Sequence, residues 1–391
     1  MPITTCHILF NTVHKLPPLY NELVQLSARG EAATVYEVTN HDEQSAPPPD
    51  LPGVTFHRVS LGLRRVTTRQ SRVAKLLRFM EYVFRAFIFA VKQDCDILVA
   101  HDLPAVLPAY VAARLRRRPV VYNAHELWSE TNGMSAPFPA LWARLDRFFC
   151  PRVDAMIAPE PNRARIYMEE YGAPALPVVA ANCPLFHPLP ATTLLRDSLA
   201  QQGFTPEIIV LYQGIFDPSR RLHHLIAAME LLPATVALVI MGRGSAEQHD
   251  ALEALRQSLG LQRRVFFHPF VPYDRLAAYT RSADIGVLLY TNDCRNNFYC
   301  APNKLYEYLH AGLPVVTSAF PGLEAVVDGF QLGICVDPES PADIAQGLSR
   351  LLDEDTRKLI SNRAIRISRE IFNWEVEFER ILKLYFSLIP R

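Results

Sequence analysis

The feature that most constrains this chain is a repeated alternation of short apolar runs with amphipathic helical patterns along its whole length. The runs, such as residues 6–10 and 236–241, carry β-branched and aromatic residues and stop at turn residues. The stretches between them, such as 71–92, repeat apolar residues at helical spacing. This order predicts an α/β fold in which mostly parallel sheet is covered by helices on both faces.

The alternation weakens once, over residues 182–205, where three X–Pro pairs break regular structure. A chain of 391 residues is long enough for two domains of ordinary size. A long helical pattern over 356–388 closes the chain. We therefore predict an N-terminal Rossmann-like domain over 1–188, a linker over 189–204, a C-terminal Rossmann-like domain over 205–372 and a last helix over 373–391. Doubly wound domains bind ligands at the carboxyl ends of their strands.

Composition argues against several classes of protein. Lysine and arginine number 40 against 40 aspartates and glutamates, so no basic excess points to a nucleic-acid partner. The seven cysteines include no CxxC pair, which argues against a disulfide framework or a cysteine zinc site and favours a reducing cytoplasm. The first residues lack the basic charge of a secretory signal, and no apolar run approaches the ~20 residues of a membrane span. We expect a cytoplasmic protein.

One segment, residues 58–92, concentrates basic charge. It holds nine lysines and arginines against a single acid, Glu81, and Phe79, Phe84 and Phe87 are among its apolar residues. Two interpretations stay open. The segment makes a peripheral contact with anionic lipid headgroups at the inner face of the membrane, or it forms a helix with an apolar core face and a solvated basic face.

The strongest chemical signal is the stretch CAPNKLYEYLHAGLPVV at 300–316. Pro302 suits a helix start, because its missing N–H is not needed there. Asn303 and Lys304 then lie in the first turn, where free N–H groups and the helix dipole attract phosphate. Glu307 follows one turn later and can accept hydrogen bonds from two ribose hydroxyls. The alternative is an ordinary helix in which Asn303 is a cap and Glu307 is solvated.

The stretch LYQGIFDPSRR at 211–221 ends a predicted strand at Gly214. A glycine there lets the backbone approach a ligand closely, and Arg220 can hold a diphosphate by a bidentate contact. Arg221 is a weaker candidate for the same role. A turn with two solvated arginines is the alternative.

A third motif, MGRGS at 241–245, follows an apolar strand. Gly242 and Gly244 are candidates for a backbone that approaches a nucleotide. The motif lacks the full GxGxxG pattern of dinucleotide sites, and a plain tight turn is the alternative.

In the first half, VVYNAHELWSE at 120–130 leaves a strand and enters a polar loop. His125 can donate to a donor sugar or an acceptor, and Glu126 can bind sugar hydroxyls; alternatively, His125 is a loop histidine with no role. One predicted strand earlier, AHDLP at 100–104 repeats the arrangement. Asp102 either supports the same loop or caps the helix after it.

Taken in this order, these motifs resemble those of the group 1, or GT4-like, glycosyltransferases. The resemblance is strong over about residues 205–355 and looser in the N-terminal half. It implies the GT-B fold, in which two Rossmann-like doubly wound domains face each other across a cleft and a C-terminal helix crosses back to the first domain. It also implies transfer of a sugar from a nucleotide-diphosphate sugar.

The resemblance implies roles for individual residues. Arg220 matches the basic residue that contacts the donor diphosphate, and Glu307 matches the glutamate that holds the ribose. His125 matches the N-domain histidine near the donor sugar. Gly242 and Gly244 match the glycines beside the nucleotide.

The base would lie near residues 269–271, at Phe270. The sequence departs from the family pattern in three places, and one of them is the loop 11–18, which lacks the glycine pair often found after the first strand. An acidic residue expected eight positions before Glu307 falls on Tyr299, so the donor-sugar contact is left to Tyr299 or to the backbone of 297–301. An arginine expected after the strand-ending glycine falls on Ile215.

By the same resemblance, the protein is a retaining, hexosyltransferase-type enzyme that needs no metal and no cofactor. Arg220, Lys304 and the helix dipole would neutralise the departing diphosphate in place of a metal. The donor would be a sugar linked to a nucleotide such as UDP or GDP. The acceptor would be a glycan, a lipid-linked molecule or a small natural product.

Three other functions stay open. A non-hydrolysing sugar-nucleotide epimerase would need carboxylates poised for elimination, which the 300–316 motif suits badly. A glycogen-phosphorylase-type enzyme would need a pyridoxal phosphate lysine, for which Lys304 is a poor candidate. From a different class, a catalytically inactive nucleotide-sugar-binding partner protein would account for the departures at Tyr299 and Ile215.

Overall fold

Two parallel sheets with helices packed around them form the framework of the protein. The structure is a computed structural model and describes residues 2–39, 49–62, 72–131 and 138–389. Contacts divide the chain into two units: the first runs to Asn182 and includes the segment from Trp374 onward, and the second is Cys183–Asn373. Among the described residues, no helix is both long enough and apolar enough to cross a membrane.

The sheet of the first unit has seven described strands, all parallel, in the order β3-β2-β1-β4-β5-β6-β7. The strands are β1 Thr4–Leu9, β2 Ala32–Thr39, β3 Val54–Ser60, β4 Ile97–His101, β5 Val120–Asn123, β6 Ala155–Ala158 and β7 Val178–Val179. The helices are α1 Pro17–Ala28, α2 Arg72–Lys92, α3 Leu103–Arg116, α4 Phe138–Phe149 and α5 Pro161–Glu169. Because β1 pairs with both β2 and β4, the carboxyl ends of β1 and β4 border the topological switch point.

The second unit has a sheet of six described strands, also parallel, in the order β10-β9-β8-β11-β12-β13. The strands are β8 Ile208–Ile215, β9 Val236–Arg243, β10 Val265–His268, β11 Ile285–Leu288, β12 Val315–Ser318 and β13 Gly333–Val336. The helices are α6 Leu194–Gln201, α7 Leu222–Ala228, α8 Ala246–Ser258, α9 Tyr273–Arg281, α10 Arg295–Phe298, α11 Asn303–His310, α12 Pro321–Val327, α13 Pro341–Arg350 and α14 Glu354–Glu370. The switch point here lies between β8 and β11.

The predicted α/β class with parallel sheets is confirmed. Strand β8 shows which feature of the sequence indicates this class. Ile209, Val210 and Leu211 are consecutive and have no exposed surface, as expected for a strand covered by helices on both faces. Each such side chain contributes roughly 1.5–3 kcal/mol by its burial. A parallel sheet therefore requires the uninterrupted apolar runs that the sequence shows.

The stretch predicted to be a linker, 189–204, contains a helix and lies within the second unit by its contacts. This helix, α6, is anchored at its first turn. The backbone N–H of Leu195 donates to the Ser282 hydroxyl at 3.1 Å, and Arg196 forms a salt bridge with Asp284 at 2.7 Å. The X–Pro pairs precede this helix, and the first of them, Cys183–Pro184, begins at the boundary between the units.

The helical pattern over 356–388 is divided between α14 and a further helix, α15 Trp374–Leu388. Asn373 makes the break: its side-chain amide donates to the Ser368 and Arg369 carbonyls at 3.1 and 2.8 Å. These carbonyls belong to the last turn of α14, which leaves them without helical partners. α15 packs against α1 in the first unit, where the Tyr385 hydroxyl donates to the Glu22 carboxylate at 2.5 Å.

Part of the basic segment 58–92, residues 63–71 with Arg64, Arg65 and Arg69, lies outside the described residues. The rest includes α2, which buries Tyr82, Ala86 and Ala90 completely. Its outer face is apolar as well as basic. Its large apolar residues with more than half of their surface exposed are Val73, Leu76, Met80 and Phe84.

Candidate functional site

Two cationic side chains, Arg220 and Lys304, lie at the switch point of the second unit. The turn Pro218–Arg220 follows β8, and the Asp217 carboxylate fixes it by accepting the Ser219 N–H at 2.9 Å. The Arg220 guanidinium lies 4.2 Å from the ring centroid of Tyr290, a residue just beyond β11. Its Nε is buried and has no hydrogen-bond partner within the described part of the chain.

Lys304 stands in the first turn of α11, and its amine reaches over the end of β8. Nζ lies 5.4 Å from the ring centroid of Tyr212 and 2.1 Å from the point at which a Cβ on Gly214 would stand. Burial and, second, the charge of Arg220 lower the pKa of Lys304 to about 8, and the charge of Glu307 opposes the shift. The first turn of α11 contains no acidic residue. Two close cations at a helix N-terminus make a site for an anion.

Glu307, one turn farther along α11, is held by Gln213. The Gln213 amide donates to the Glu307 carboxylate at 2.6 Å, and its own oxygen accepts the Thr280 hydroxyl at 2.8 Å. Burial raises the pKa of Glu307, and the charge of Lys304 opposes that rise. Glu307 is therefore an oriented carboxylate, and no group of the described residues occupies its second oxygen, which can meet a ligand. Asn303 lies inside α11, and this helix has no side-chain cap from any described residue.

Gly214 and Gly242 face each other across β8 and β9, and both have positive φ, 141° and 153°. A Cβ on Gly242 would stand 1.8 Å from the carbonyl oxygen of Gly214, so a side chain fits at neither position without moving its neighbour. The two glycines let the ends of these strands, and the amine of Lys304, approach each other.

The rest of the MGRGS motif leads into α8. A Cβ on Gly244 would stand 2.6 Å from the Cβ of Phe216, in the loop that follows β8. Ser245 and Gln248 form a reciprocal capping box, with backbone-to-side-chain bonds of 2.9 and 3.2 Å. The two residues therefore start α8, and the third glycine of a dinucleotide pattern would fall at Glu247, between them.

Arg243 and Phe270 form an exposed flat surface beside these glycines. The Arg243 guanidinium lies 4.8 Å from the ring centroid of Phe270, and Phe270 is 55% exposed. An aromatic ring with a guanidinium over it offers stacking surface to a planar group.

Arg221 and Tyr299 have other contacts. Arg221 has left-handed backbone, with φ of 45°, and its guanidinium forms an ion pair with Glu339 at 2.8 Å. Tyr299 follows α10, and its ring centroid lies 5.0 Å from that of Phe298. The partner that Arg221 already has weakens its candidacy for a diphosphate contact.

In the first unit, His125 is the last of three buried histidines joined through their ring nitrogens. His7 Nδ1 lies 3.0 Å from His101 Nε2, and His101 Nδ1 lies 3.0 Å from His125 Nε2. Burial lowers the pKa of His7 and of His125 to about 3, and it lowers the pKa of His101 well below its usual value. His125 is therefore a neutral imidazole near pH 7.

Asp102 supports the His125 loop and does not cap α3. Its carboxylate accepts the backbone N–H groups of His125 and Glu126 at 2.9 and 3.1 Å, and it makes no side-chain bond to the helix that follows. Burial raises the pKa of Asp102 to about 7. Its backbone, at φ 62° and ψ 161°, costs about 1–3 kcal/mol for a residue with a side chain.

Arg163 completes the loop from the other side. This buried arginine donates to the His125 carbonyl at 2.8 Å and lies 3.6 Å from the Glu126 carboxylate. The side chain of Glu126 is 49% exposed. Glu126 is thus tethered at the surface, where it can still meet a ligand hydroxyl.

Sequence reasoning missed several residues of these sites. Gln213 precedes Gly214 in the LYQGIFDPSRR motif, yet no local signal pairs Gln213 with Glu307, 94 residues away. Tyr290 and Arg163 gave no separate signal. His7 and His101 could have been noticed, because a histidine inside a buried strand needs a polar partner.

Two family models match the chain. The model described as "Glycosyl transferases group 1" matches residues 196–367, within the second unit. The model described as "Glycosyl transferase 4-like domain" matches residues 19–183, almost wholly within the first. Together the matches include the segments that carry His125, Arg220 and Glu307.

Curated relatives match over nearly the full chain. The D-inositol 3-phosphate glycosyltransferase of Xylanimonas cellulosilytica is 26% identical over 373 residues, with 91% of this chain and 88% of the relative covered. The protein of the same name from Thermomonospora curvata is 26% identical over 385 residues, with 92% and 87% covered.

Solved structures share the fold. Sucrose-phosphate synthase from Thermosynechococcus elongatus matches with a TM-score of 0.77 at 19% identity, with 99% of each chain covered. HepE from Anabaena, in complex with UDP and glucose, matches with a TM-score of 0.75 at 17% identity, with 99% of this chain and 100% of that chain covered.

Proposed function

The chain belongs to the GT4-like glycosyltransferases of the GT-B fold, and from that premise we propose that it moves a hexose from a nucleotide-diphosphate sugar to an acceptor, with retained configuration and without a metal ion. Glycosyl transfer follows from the family. The donor, the stereochemical course and the acceptor are the proposal.

The observation that carries the proposal is the pair of cations at the end of β8. Arg220 has a buried Nε without a partner in the described chain, and Lys304 carries an amine whose pKa is lowered by burial and by Arg220. A bound diphosphate relieves both costs. Preorganised cations in a partly dehydrated site stabilise a departing diphosphate far better than solvent does, and this is the work that a metal ion would otherwise do.

The nucleoside would lie along the neighbouring strand ends. Glu307, oriented by Gln213, accepts the ribose hydroxyls. The backbone at Gly242 and Gly244 lies against the nucleotide, and Phe270 with Arg243 offers the stacking surface for the base. HepE was solved with UDP and glucose, which supports a UDP-sugar; a GDP-sugar is the second donor that this site would take.

His125 of the first unit is proposed to contact a hydroxyl of the transferred sugar. It does so as a neutral imidazole, since burial lowers its pKa to about 3.

The configuration of the sugar is retained because the acceptor hydroxyl attacks the face that the diphosphate leaves. The diphosphate oxygen takes the proton of the acceptor hydroxyl while the new glycosidic bond forms.

The acceptor is proposed to be lipid-linked and to be met at a membrane surface. The outer face of α2 exposes Leu76, Met80 and Phe84 at 57%, 59% and 65%, and the same helix carries Lys75 and Arg85. Apolar side chains flanked by cations are the features of a helix that lies in an anionic interface. The name of the curated relatives favours a phosphorylated polyol as the second acceptor class.

Release of nucleoside diphosphate tests the reaction. UDP-glucose and GDP-mannose, each with a lipid-linked or a phosphorylated polyol acceptor, would be incubated with the wild type, with Arg220→Gln and with Arg263→Gln, an exposed arginine of the same unit. We expect release by the wild type, a loss of about a hundredfold or more in Arg220→Gln, and a change within twofold in Arg263→Gln. Conversion of one nucleotide sugar into another would favour an epimerase, and binding without turnover an inactive partner protein.

A further inference from the structure

A column of hydrogen bonds ends at His125. We call Thr5, His7, His101 and His125 the histidine column. The Thr5 hydroxyl lies 2.9 Å from His7 Nε2, and the two His–His separations are 3.0 Å. The members stand on β1, at the end of β4 and just after β5, which are neighbours in the sheet. Thr5 and the three histidines are at most 8% exposed.

The hydrogen bonds between the three buried rings couple their tautomers. A neutral imidazole has one N–H and one bare nitrogen, and the low pKa of each ring keeps the column neutral. If one ring donates in a given direction, its neighbour must accept on the facing nitrogen and donate on the other. Only two arrangements satisfy every bond, one the reverse of the other.

Thr5 selects between these arrangements. Its other partner is the backbone carbonyl of Ala32, at 3.4 Å, and a carbonyl can only accept. A hydroxyl proton that faces Ala32 leaves a lone pair of Thr5 for His7, whereas the reverse arrangement would leave the Ala32 contact without a proton. His7 Nε2 must then donate to Thr5, so that His7 Nδ1 accepts from His101 and His101 Nδ1 accepts from His125.

We propose that Thr5, His7 and His101 are positioning residues that fix His125 as its Nε2–H tautomer, so that the bare Nδ1 accepts a hydrogen bond from a substrate hydroxyl. Within the described residues, no group occupies that nitrogen. The inference rests on the proposed function, because it takes a sugar as the ligand of His125. It adds a specificity: the sugar group that His125 meets must donate, so a fluoro or methoxy group there loses the contact.

A metal ion is the competing explanation for part of the column. His7, Glu22 and His101 each offer one ligand atom, and the three atoms lie within 4.8 Å of one another. A metal would need bare nitrogens on both facing rings. The direct separation of 3.0 Å is a hydrogen-bond length, which assigns a shared proton to this position. Glu22 needs no counter-ion when protonated, and burial raises its pKa to about 7.

The tautomers can be read directly by long-range ¹H–¹⁵N correlation spectra of protein labelled with ¹⁵N-histidine, with assignments from His7→Gln, His101→Gln and His125→Gln. We expect His125 as the neutral Nε2–H tautomer from pH 6 to 8. Thr5→Val removes the acceptor of the column and should reverse it, so that His125 becomes Nδ1–H; Thr5→Ser should leave it unchanged. A wild-type His125 protonated at Nδ1, an unchanged tautomer in Thr5→Val, or stoichiometric zinc by elemental analysis would overturn the proposal.

Turnover separates this inference from the proposed function. With UDP-glucose or GDP-mannose as probe donor, Thr5→Val should lose tenfold or more in kcat while the midpoint shift caused by UDP or GDP stays the same, and Thr5→Ser should stay within twofold. Equal kcat in Thr5→Val and Thr5→Ser contradicts the column alone. A wild type that neither binds nor turns over a nucleotide sugar contradicts the proposed function, and the tautomer spectra still decide the column.

Discussion

The amine of Lys304 stands where a side chain on Gly214 would begin: Nζ lies 2.1 Å from the position of a Cβ at Gly214. The glycine and the lysine are 90 residues apart in the chain, on β8 and α11, and each restricts the other. The amine of Lys304 can take this position only because the residue at the end of β8 is a glycine. Candidate diphosphate binding in the second unit depends on it.

Gly214→Ala should therefore weaken nucleotide binding by displacing Lys304. We expect a loss of at least tenfold in the affinity for UDP or GDP, measured by isothermal titration. Gly260→Ala is the matched control, since Gly260 also has positive φ but no atom within 4 Å of its added Cβ. Gly260→Ala carries a left-handed backbone cost of about 1–2 kcal/mol, and Gly214→Ala, at a φ of 141°, carries a backbone cost of about 1–3 kcal/mol. Equal affinity in the two variants would refute the steric link to Lys304.

Diphosphate binding should weaken at alkaline pH because Lys304 loses its proton. The pKa of Lys304 in the free protein is about 8, and a bound anion raises this pKa. The affinity for the diphosphate is therefore highest well below pH 8 and declines as the pH rises through 8. Between pH 7 and pH 9 we expect a fall of about tenfold, since each unit between the free and bound pKa changes affinity tenfold. Lys304→Met serves as the control for ionisation of the ligand itself. Parallel pH profiles for the two proteins would show that Lys304 does not titrate on binding.

Asp146 should make the protein less stable as pH rises. This carboxyl is buried in α4, accepts the Tyr122 hydroxyl at 3.2 Å and has one oxygen without a partner in the described chain. Burial raises its pKa to about 7, above the unfolded value. Its contribution is thus fully present below about pH 4 and is lost as pH rises through 7, by up to about 4 kcal/mol.

Asp146→Asn removes this titration. The melting temperature of the variant minus that of the wild type should therefore grow from pH 4 to pH 7 and level off above pH 7.5. Thermal unfolding in a series of buffers measures it. A difference that does not change over this range would show that Asp146 keeps an ordinary pKa in the folded protein.

The outer face of α2 should bind anionic membranes. Wild-type protein should co-sediment with vesicles of phosphatidylcholine and phosphatidylglycerol, and a combined Leu76→Ser, Met80→Ser and Phe84→Ser variant should lose most of that binding. Leu359→Ser is the control, because Leu359 is 60% exposed on α14 of the second unit. If the triple variant and the control sediment alike, α2 is not the contact, and a soluble acceptor gains support.

The order of strands and helices could be predicted because each strand of a parallel sheet covered on both faces is an uninterrupted run of apolar residues. The donor-site motifs could be recognised for a related reason: Gly214, Gly242 and Lys304 must be those residue types to stand as close as they do. Such requirements act at single positions and so are visible in a sequence.

Pairings over long separations could not be predicted. Gln213 meets Glu307 and Thr280 only because β8, α9 and α11 converge, and nothing near Gln213 indicates it. The break at Asn373 is another case, since the side chain of one residue ends α14 where the apolar spacing continues. Two roles were open for Asp102, and the tertiary contact decides between them, because the carboxylate holds the His125 loop and does not cap the helix.

The most direct test of the account is a thermal-shift comparison of the wild type with Arg220→Ala, Glu307→Ala and the exposed control Arg263→Ala, each with UDP, GDP and their hexose derivatives. A ligand that binds only the folded state raises the melting temperature. We expect one nucleotide class to stabilise the wild type and Arg263→Ala, and we expect Arg220→Ala and Glu307→Ala to lose the shift. Full shifts in Arg220→Ala and Glu307→Ala, or no shift with any nucleotide in the wild type, would contradict the nucleotide-sugar site.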